Sequence, residues 1–319
     1  MKLERCDRVQ AGKTSATYYL INLSQMTHFR PALRPWDVQV ETLQAAQAKE
    51  VAKLRPSFPR VSQDCGLQGC GPTPIVLCST ALLGRHMTSQ QFFEELEARI
   101  AKYDLLCHPF YKAWSAGELT REELRDYALD YYHHVDAFPE YLAAFGIRLD
   151  DGELRRAVLA NMRDEQGGED VYGEPGRSHA ELWMDFAEAM GARRTAFGHS
   201  PASEVKALVD HFSRVATLGT VEEALAAFYA YEAQVPRIAS EKDRGLRDLY
   251  GADERTRAYF TLHTTADVFH SNVWKQQLKK QIELRPETAT KALNSAEAAA
   301  KALWRALDGI ESRRMAEVA

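Results

Sequence analysis

The sequence predicts an all-α bundle. Three observations carry that prediction. From residue 87 onward apolar residues recur at helical spacing in eight successive segments, no segment alternates polar and apolar as a half-buried strand would, and no glycine-rich phosphate loop joins a strand to a helix. The same pattern excludes Rossmann, P-loop and barrel arrangements.

The first predicted helix is "MTSQQFFEELEARIAKY", in which Phe92, Leu96, Ile100 and Tyr103 share a face. The second, "LTREELRDYALDYYHHVDAFPEYLAAF", opens on the capping box Thr120-x-x-Glu123, runs through Leu124, Tyr127 and Tyr131, and is expected to kink at Pro139. A third, over about 152–169, stacks Leu154, Val158, Met162 and Glu165 on one face. A fourth begins near 178 and carries His179, Leu182, Trp183 and Phe186. Residues 202–217 form a fifth. "VEEALAAFYAYEAQVPRIASEKDRGLRDLY" reads as a sixth, bent near Pro236, and 253–283 as a seventh. An alanine-rich eighth, 287–314, closes the chain.

Residues 1–86 are of another kind. They hold half of the 12 prolines, in clusters such as "RPALRPW" and "LRPSFPR", with helical periodicity only near 38–54. A disordered leader, or an assigned start upstream of the true one at Met87, is the expectation; the bundle domain is then 87–319. With 319 residues, 45% hydrophobic and 27% charged, the chain can bury a sizeable core. No apolar run approaches the roughly 20 residues of a membrane span, and the N-terminus lacks a signal-peptide layout, so a cytoplasmic protein without a membrane partner is expected.

Four of the five cysteines precede residue 87, leaving only Cys107 in the bundle, and no disulfide framework follows. "CGLQGC" spaces its pair by four residues with no second pair, which is not a zinc knuckle. Residues 1–86 carry 11 Lys and Arg against 6 Asp and Glu, and the remainder 29 against 39. An acidic body of that kind excludes nucleic acid as a partner.

The chemistry lies where charged residues interrupt apolar faces. "YFTLHTTADVFHSNVW" (259–274), read as one helix, brings His263, Asp267 and His270 to nearly one azimuth with Tyr259 and Trp274. Glu165 continues the apolar row of the third helix, Glu232 follows Leu225 and Phe228, and His179 opens the fourth helix on the side of Trp183. Individually, each has an ordinary reading as a cap, a hydrogen-bonded core group or an i,i+3 pair. Together, Glu165, His179, Glu232, His263, Asp267 and His270 make three carboxylates and three imidazoles on inward faces. Buried charges need compensation, and that inventory suits two iron or manganese ions in a bundle core better than one tetrahedral zinc.

At these residues the chain resembles a known family. "HPFYKAWSAGELTREELRDYALDYYHHVDAFPEYL", "HAELW", "YEAQVPRIASEK" and "HTTADVFH" are similar to the haem-oxygenase-like di-iron oxidases, especially the branch whose chlamydial member is named for association with death domains, over about residues 87–285. The resemblance implies a haem-oxygenase-like bundle of about seven core helices plus a C-terminal helix. It further implies a 4-aminobenzoate synthase for folate supply that uses O2, an external reductant and an Fe/Fe or Mn/Fe pair to cleave its own tyrosine side chain, with one of its own lysines supplying the amino group.

Carried over position by position, the resemblance places metal ligands at the same six residues, the sacrificial tyrosine at Tyr111 and the amino-donating lysine at Lys242. Tyr127, Tyr231 and Tyr259 match neighbouring tyrosines implied to relay radicals. Pattern alone reads Tyr111 as a packed aromatic and Lys242 as a solvated cation. Lys242 lies ten residues after Glu232 and shares its azimuth if Pro236 does not swing the helix away. The segment "QGGEDVYGEPGRS" between Glu165 and His179 is longer than in the chlamydial relative and adds Glu169 as a competitor for the first carboxylate position.

Three other functions compete with this one. One is a di-iron oxygenase acting on an external small molecule. A second is a metal-free oxidase of the pyrroloquinoline-quinone-synthase kind, or a thiaminase-like hydrolase, which needs a cysteine nucleophile. The third is a non-catalytic module binding death domains, against which the inward ligand set argues. O2 and the chain's own side chains are the expected partners, with homodimerisation left open.

Overall fold

A computed structural model describes residues 87–168 and 176–318. Eleven α-helices make up the described chain: α1 (Ser89–Ala101), α2 (Pro109–Ala116), α3 (Arg121–Ile147), α4 (Glu153–Glu165), α5 (His179–Ala189), α6 (Ser203–Leu218), α7 (Val221–Glu232), α8 (Val235–Asp248), α9 (Glu254–His263), α10 (Ala266–Leu284) and α11 (Ala289–Val318), and no strand occurs among these residues. The expected all-α class is what the structure has. The expectation for residues 1–86 lies outside the described residues.

Helix starts follow local chemistry. Thr88, Thr120, Ser178 and Thr220 each close a reciprocal capping box with Gln91, Glu123, Glu181 and Glu223. Each satisfies two otherwise orphaned N–H groups, with a cap worth about 1 kcal/mol. α3 runs through Pro139 without interruption.

Four departures from the predicted elements matter. The short helix α2, begun by the His108 cap and Pro109, has too few turns for periodicity to reveal, and it carries Tyr111. The predicted sixth helix is two, because Pro236 falls in the first turn of α8, where a missing N–H costs nothing, and the chain breaks just ahead of it at Ala233 and Gln234. The predicted seventh helix also breaks, at Thr264 and Thr265. Their hydroxyls donate to the carbonyls of Thr261 (2.8 Å) and Leu262 (3.1 Å), competing with the helical ladder. The third helix ends at Glu165, followed by Gly167 with φ +99°, where a Cβ would meet the Gly176 carbonyl oxygen at 2.4 Å. Glu169 lies outside the described residues.

The described residues fall in one compact unit. α11 packs along α6 and α7, α10 against α7, and α3 against α4, α5 and α6, while α9 joins α5 to α8. Trp114, Trp183, Trp274 and Tyr127 are among the largest side chains shut from solvent. Each removes some 150–250 Å² of surface from water. No helix among the described residues is long and apolar enough to cross a membrane.

Candidate dimetal site

The last turn of α4, the first turn of α5, the last turns of α7 and α9 and the first turns of α10 converge. They bring together all six residues picked out by the sequence. Glu165, His179, Glu232, His263, Asp267 and His270 are each at most 6% exposed. Glu165, Glu232, His263 and Asp267 line one chamber with Tyr231 and Tyr259. The break at Thr264 means that His263 and Asp267 arrive from two helices rather than from one continuous face; the azimuth argument holds only within α10, for Asp267, His270 and Trp274.

Donor atoms of Glu165, His179 and His263 form one cluster within 4.8 Å, and those of Glu165, Glu232 and His270 form another. Glu165 belongs to both. A carboxylate has two oxygens, so Glu165 could serve an ion at each of the two three-donor clusters. His179 Nδ1 stands 2.7 Å from Glu165 Oε2 without hydrogen-bond alignment. His263 Nδ1 donates to the Tyr259 carbonyl at 2.6 Å, which leaves Nε2 for a ligand. By donor chemistry and convergence, the residues fit two ions of the iron or manganese type.

Protonation within the chamber is mutual. Burial pushes Glu165 up, but the charges of His179, His263 and His270 outweigh it and hold its carboxyl below the usual range. Burial pulls His179 down, yet Glu165 raises it above an ordinary imidazole. Burial likewise depresses His270, and Asp164 and Asp267 more than reverse that. Glu232 goes far up, through burial and the charges of Asp267 and Glu165. It accepts hydrogen bonds from Asn161 Nδ2 (3.0 Å) and from the Trp274 indole.

Lys242 and Tyr111 form a second centre. Lys242 is 5% exposed, in contrast to the solvated cation that pattern alone suggests. Its side chain meets tyrosines of α2 and α3. Its Nζ donates to Tyr111 Oη at 2.8 Å and contacts Tyr127 Oη, while Tyr111 Oη and Tyr127 Oη lie 3.1 Å apart. Nζ also sits 4.2 Å from the Tyr111 ring centre. Burial alone pulls the lysine well below its ordinary value. Burial pushes all the neighbouring phenols, Tyr111, Tyr127, Tyr131, Tyr231 and Tyr259, up.

The two centres share a wall. A cavity of about 30 Å³ is lined by Tyr111, Lys242, Tyr131, Trp183, Tyr231 and Tyr259 among others, and the last pair also lines the ligand chamber. The Tyr259 ring stacks 4.0 Å from His263, and Trp183 lies 4.8 Å from Tyr259 and 5.7 Å from Tyr127. A run of aromatic rings thus links ligand to lysine.

Sequence reasoning missed Asn161, Asp164, Tyr131 and His134. His134 is fully buried, 4.9 Å from the Tyr231 ring, and burial pulls it to about 3. Its place in "DYYHHVD", one turn after Tyr131, was the available signal. Asp164 precedes Glu165 and meets His270. Cys107, the one cysteine among the described residues, is exposed and lines neither cavity, so it does not supply the nucleophile a thiaminase-like reading needs.

Comparison with known proteins places the family and the fold. A family model described as iron-containing redox enzyme matches residues 125–304. The 4-aminobenzoate synthase of Chlamydia muridarum is 38% identical over 222 residues, covering 69% of this chain and 90% of the relative. That of Nitrosomonas europaea is 35% identical over 243 residues, covering 73% and 96%. Among solved structures, a TenA homologue from Pseudomonas syringae pv. tomato superposes with TM-score 0.58 at 16% identity, covering 70% of this chain and 92% of that one. A domain from Shewanella denitrificans described as having a haem-oxygenase-like fold gives 0.57 at 14% identity, covering 71% and 93%. The bundle has that fold.

Proposed function

This chain belongs to the family of iron-containing redox enzymes, and we propose that it is a self-sacrificing 4-aminobenzoate synthase whose ring comes from Tyr111 and whose nitrogen comes from Lys242. The observation that carries the reading is the 2.8 Å approach of Lys242 Nζ to Tyr111 Oη in a water-poor aromatic pocket. 4-Aminobenzoate has its nitrogen para to its carboxyl carbon, and tyrosine has its hydroxyl para to Cβ. Conversion therefore would form a bond from Lys242 Nζ to the ring carbon as the phenol oxygen leaves as water, break the Nζ–Cε bond with Cε left at the aldehyde level, break the Tyr111 Cα–Cβ bond and oxidise Cβ to carboxylate, with O2 as the oxidant. The amine stands at the oxygen it would replace.

Glu165, His179, Glu232, His263, Asp267 and His270 would hold two ions, Fe/Fe or Mn/Fe, and such a pair supplies reductive activation of O2 with electrons from an external reductant. The remaining residues prepare the substrate. Burial disfavours the charged form of Lys242, and the neutral amine would offer a lone pair while donating to Tyr111. Tyr127 holds the other side of both groups. Tyr231 and Tyr259, which line both cavities, would carry the oxidising equivalent between them.

Cavity size weighs against an external substrate. About 30 Å³ is the space of roughly one water molecule, far below that of an aromatic ring. Two larger grooves, of about 360 and 650 Å³, touch none of the six proposed ligands. The relatives named 4-aminobenzoate synthase support the product; the Lys242–Tyr111 contact supports its source. Protein grown on ¹⁵N-lysine, loaded with iron or manganese, reduced and exposed to O2 tests the reading. Released 4-aminobenzoate should carry one ¹⁵N, and unlabelled product would contradict it.

A further inference from the structure

His270 has a carboxylate at each ring nitrogen. Nδ1 lies 3.3 Å from Asp267 Oδ1, and Nε2 lies 3.2 Å from Asp164 Oδ2. The two acids differ in kind. Asp267 is buried and lines the ligand chamber, whereas the Asp164 side chain is 55% exposed on the outer side of α4, one residue before Glu165.

A metal-binding imidazole gives one nitrogen to the ion and the other N–H to an acceptor, which fixes its tautomer and ring angle. Since Nδ1 is on the chamber side with Asp267, Nε2–H is the donor to Asp164. We infer that Asp164 is a positioning residue: it orients His270 and so sets the affinity of the metal position formed by Glu165, Glu232 and His270. The inference rests on the dimetal reading of the chamber.

His263 provides the contrast within the same site. Its Nδ1 donates to the Tyr259 carbonyl, a neutral backbone acceptor shielded from solvent. An anionic acceptor makes the imidazole a stronger donor than a carbonyl does. The second position therefore leans on a carboxylate that solvent reaches, and the first does not. The end of α4 supplies both parts, Glu165 to the shared ligand place and Asp164 to the back of His270.

Titration of metal-free protein with Mn²⁺, following the free ion by electron paramagnetic resonance, tests this without turnover. The parent protein should bind two equivalents. Asp164→Asn should weaken one of them by roughly 10–100-fold and leave the other unchanged, and Asp164→Glu should restore most of the loss. Helicity should stay at the parent level in both, since Asp164 sits at an exposed helix end. The Co²⁺ absorption spectrum of Asp164→Asn at saturation should match that of the parent.

Parent-like affinities in Asp164→Asn would overturn the inference. So would equal weakening of both equivalents, or a changed Co²⁺ spectrum, which would make Asp164 a ligand itself. If the parent binds fewer than two equivalents, the dimetal reading has failed instead, and the two failures are distinct.

Discussion

Lys242 Nζ stands 2.8 Å from Tyr111 Oη with no carboxylate lining the cavity that contains them, so an amine is held buried among phenols, aromatic faces and aliphatic side chains. Such a lysine is costly to fold as a cation. Its burial is difficult to justify by stability, and its place at the tyrosine oxygen is what gives it a use.

Lys242→Met should therefore stabilise the protein near neutral pH. Burial lowers the folded lysine's proton affinity below that of the unfolded one, so below the ordinary lysine range the unfolded parent binds more protons and the parent gains stability as pH rises. The advantage of Lys242→Met should shrink by up to about 1.4 kcal/mol per pH unit as pH rises toward about 10.4. Urea unfolding of both proteins across that interval reads the difference; a constant difference would mean that the folded lysine is charged.

Tyr111→Phe should yield no 4-aminobenzoate while the ligand chamber keeps its metal. The loss of one buried hydroxyl should cost about 1 kcal/mol. Product assay, metal analysis and thermal unfolding on one preparation check the three statements. Metal lost together with product would make Tyr111 a structural residue.

Glu165→Gln should be more damaging to metal content than Glu232→Gln, because Glu165 alone belongs to both donor clusters. Elemental analysis of the purified proteins should find about two ions per parent chain, about one in Glu232→Gln and close to none in Glu165→Gln. Equal losses would remove the shared-ligand description.

Asp185 fixes α9, the helix that presents Tyr259 and His263. Its buried carboxylate accepts from Arg255 of α9 (2.8 and 3.0 Å) and from Arg177 (2.6 Å). The Arg255 hydrogen bond first, and Arg177 with it, hold the carboxyl well below the usual range despite burial. A depressed carboxyl contributes stability above its unfolded value of 3.8 and loses it as pH falls through the folded one. Asp185→Asn should be destabilised by about 1–3 kcal/mol at pH 7, with the gap closing below pH 3.8; urea midpoints at several pH values measure it.

The convergence of the six candidate ligands was legible in the sequence because a carboxylate or imidazole on an apolar helical face has few bland explanations once six occur together. Glu165 after Leu154, Val158 and Met162 is the clearest instance. The path of the chain between the ligands was less legible. The paired hydroxyls of Thr264 and Thr265 compete with the backbone for carbonyls, and a 3.6-residue period continues across such a break unaltered. Tyr111 and Lys242 were illegible as a pair for another reason. They are 131 residues apart on α2 and α8, each with an ordinary local reading, and only resemblance singled them out. Asp164 was hidden by its exposure, since a solvent-facing acid at a helix end looks like surface.

The central claim is that the protein's own Tyr111 is the benzoate source. Peptide mapping by mass spectrometry, before and after one exposure of the metal-loaded, reduced protein to O2, tests it most directly. The peptide containing Tyr111 should lose the tyrosine side chain in a fraction of chains equal to the moles of 4-aminobenzoate released, with never more than one product per chain. Product formed while Tyr111 remains intact, or several turnovers of an added substrate, would contradict it.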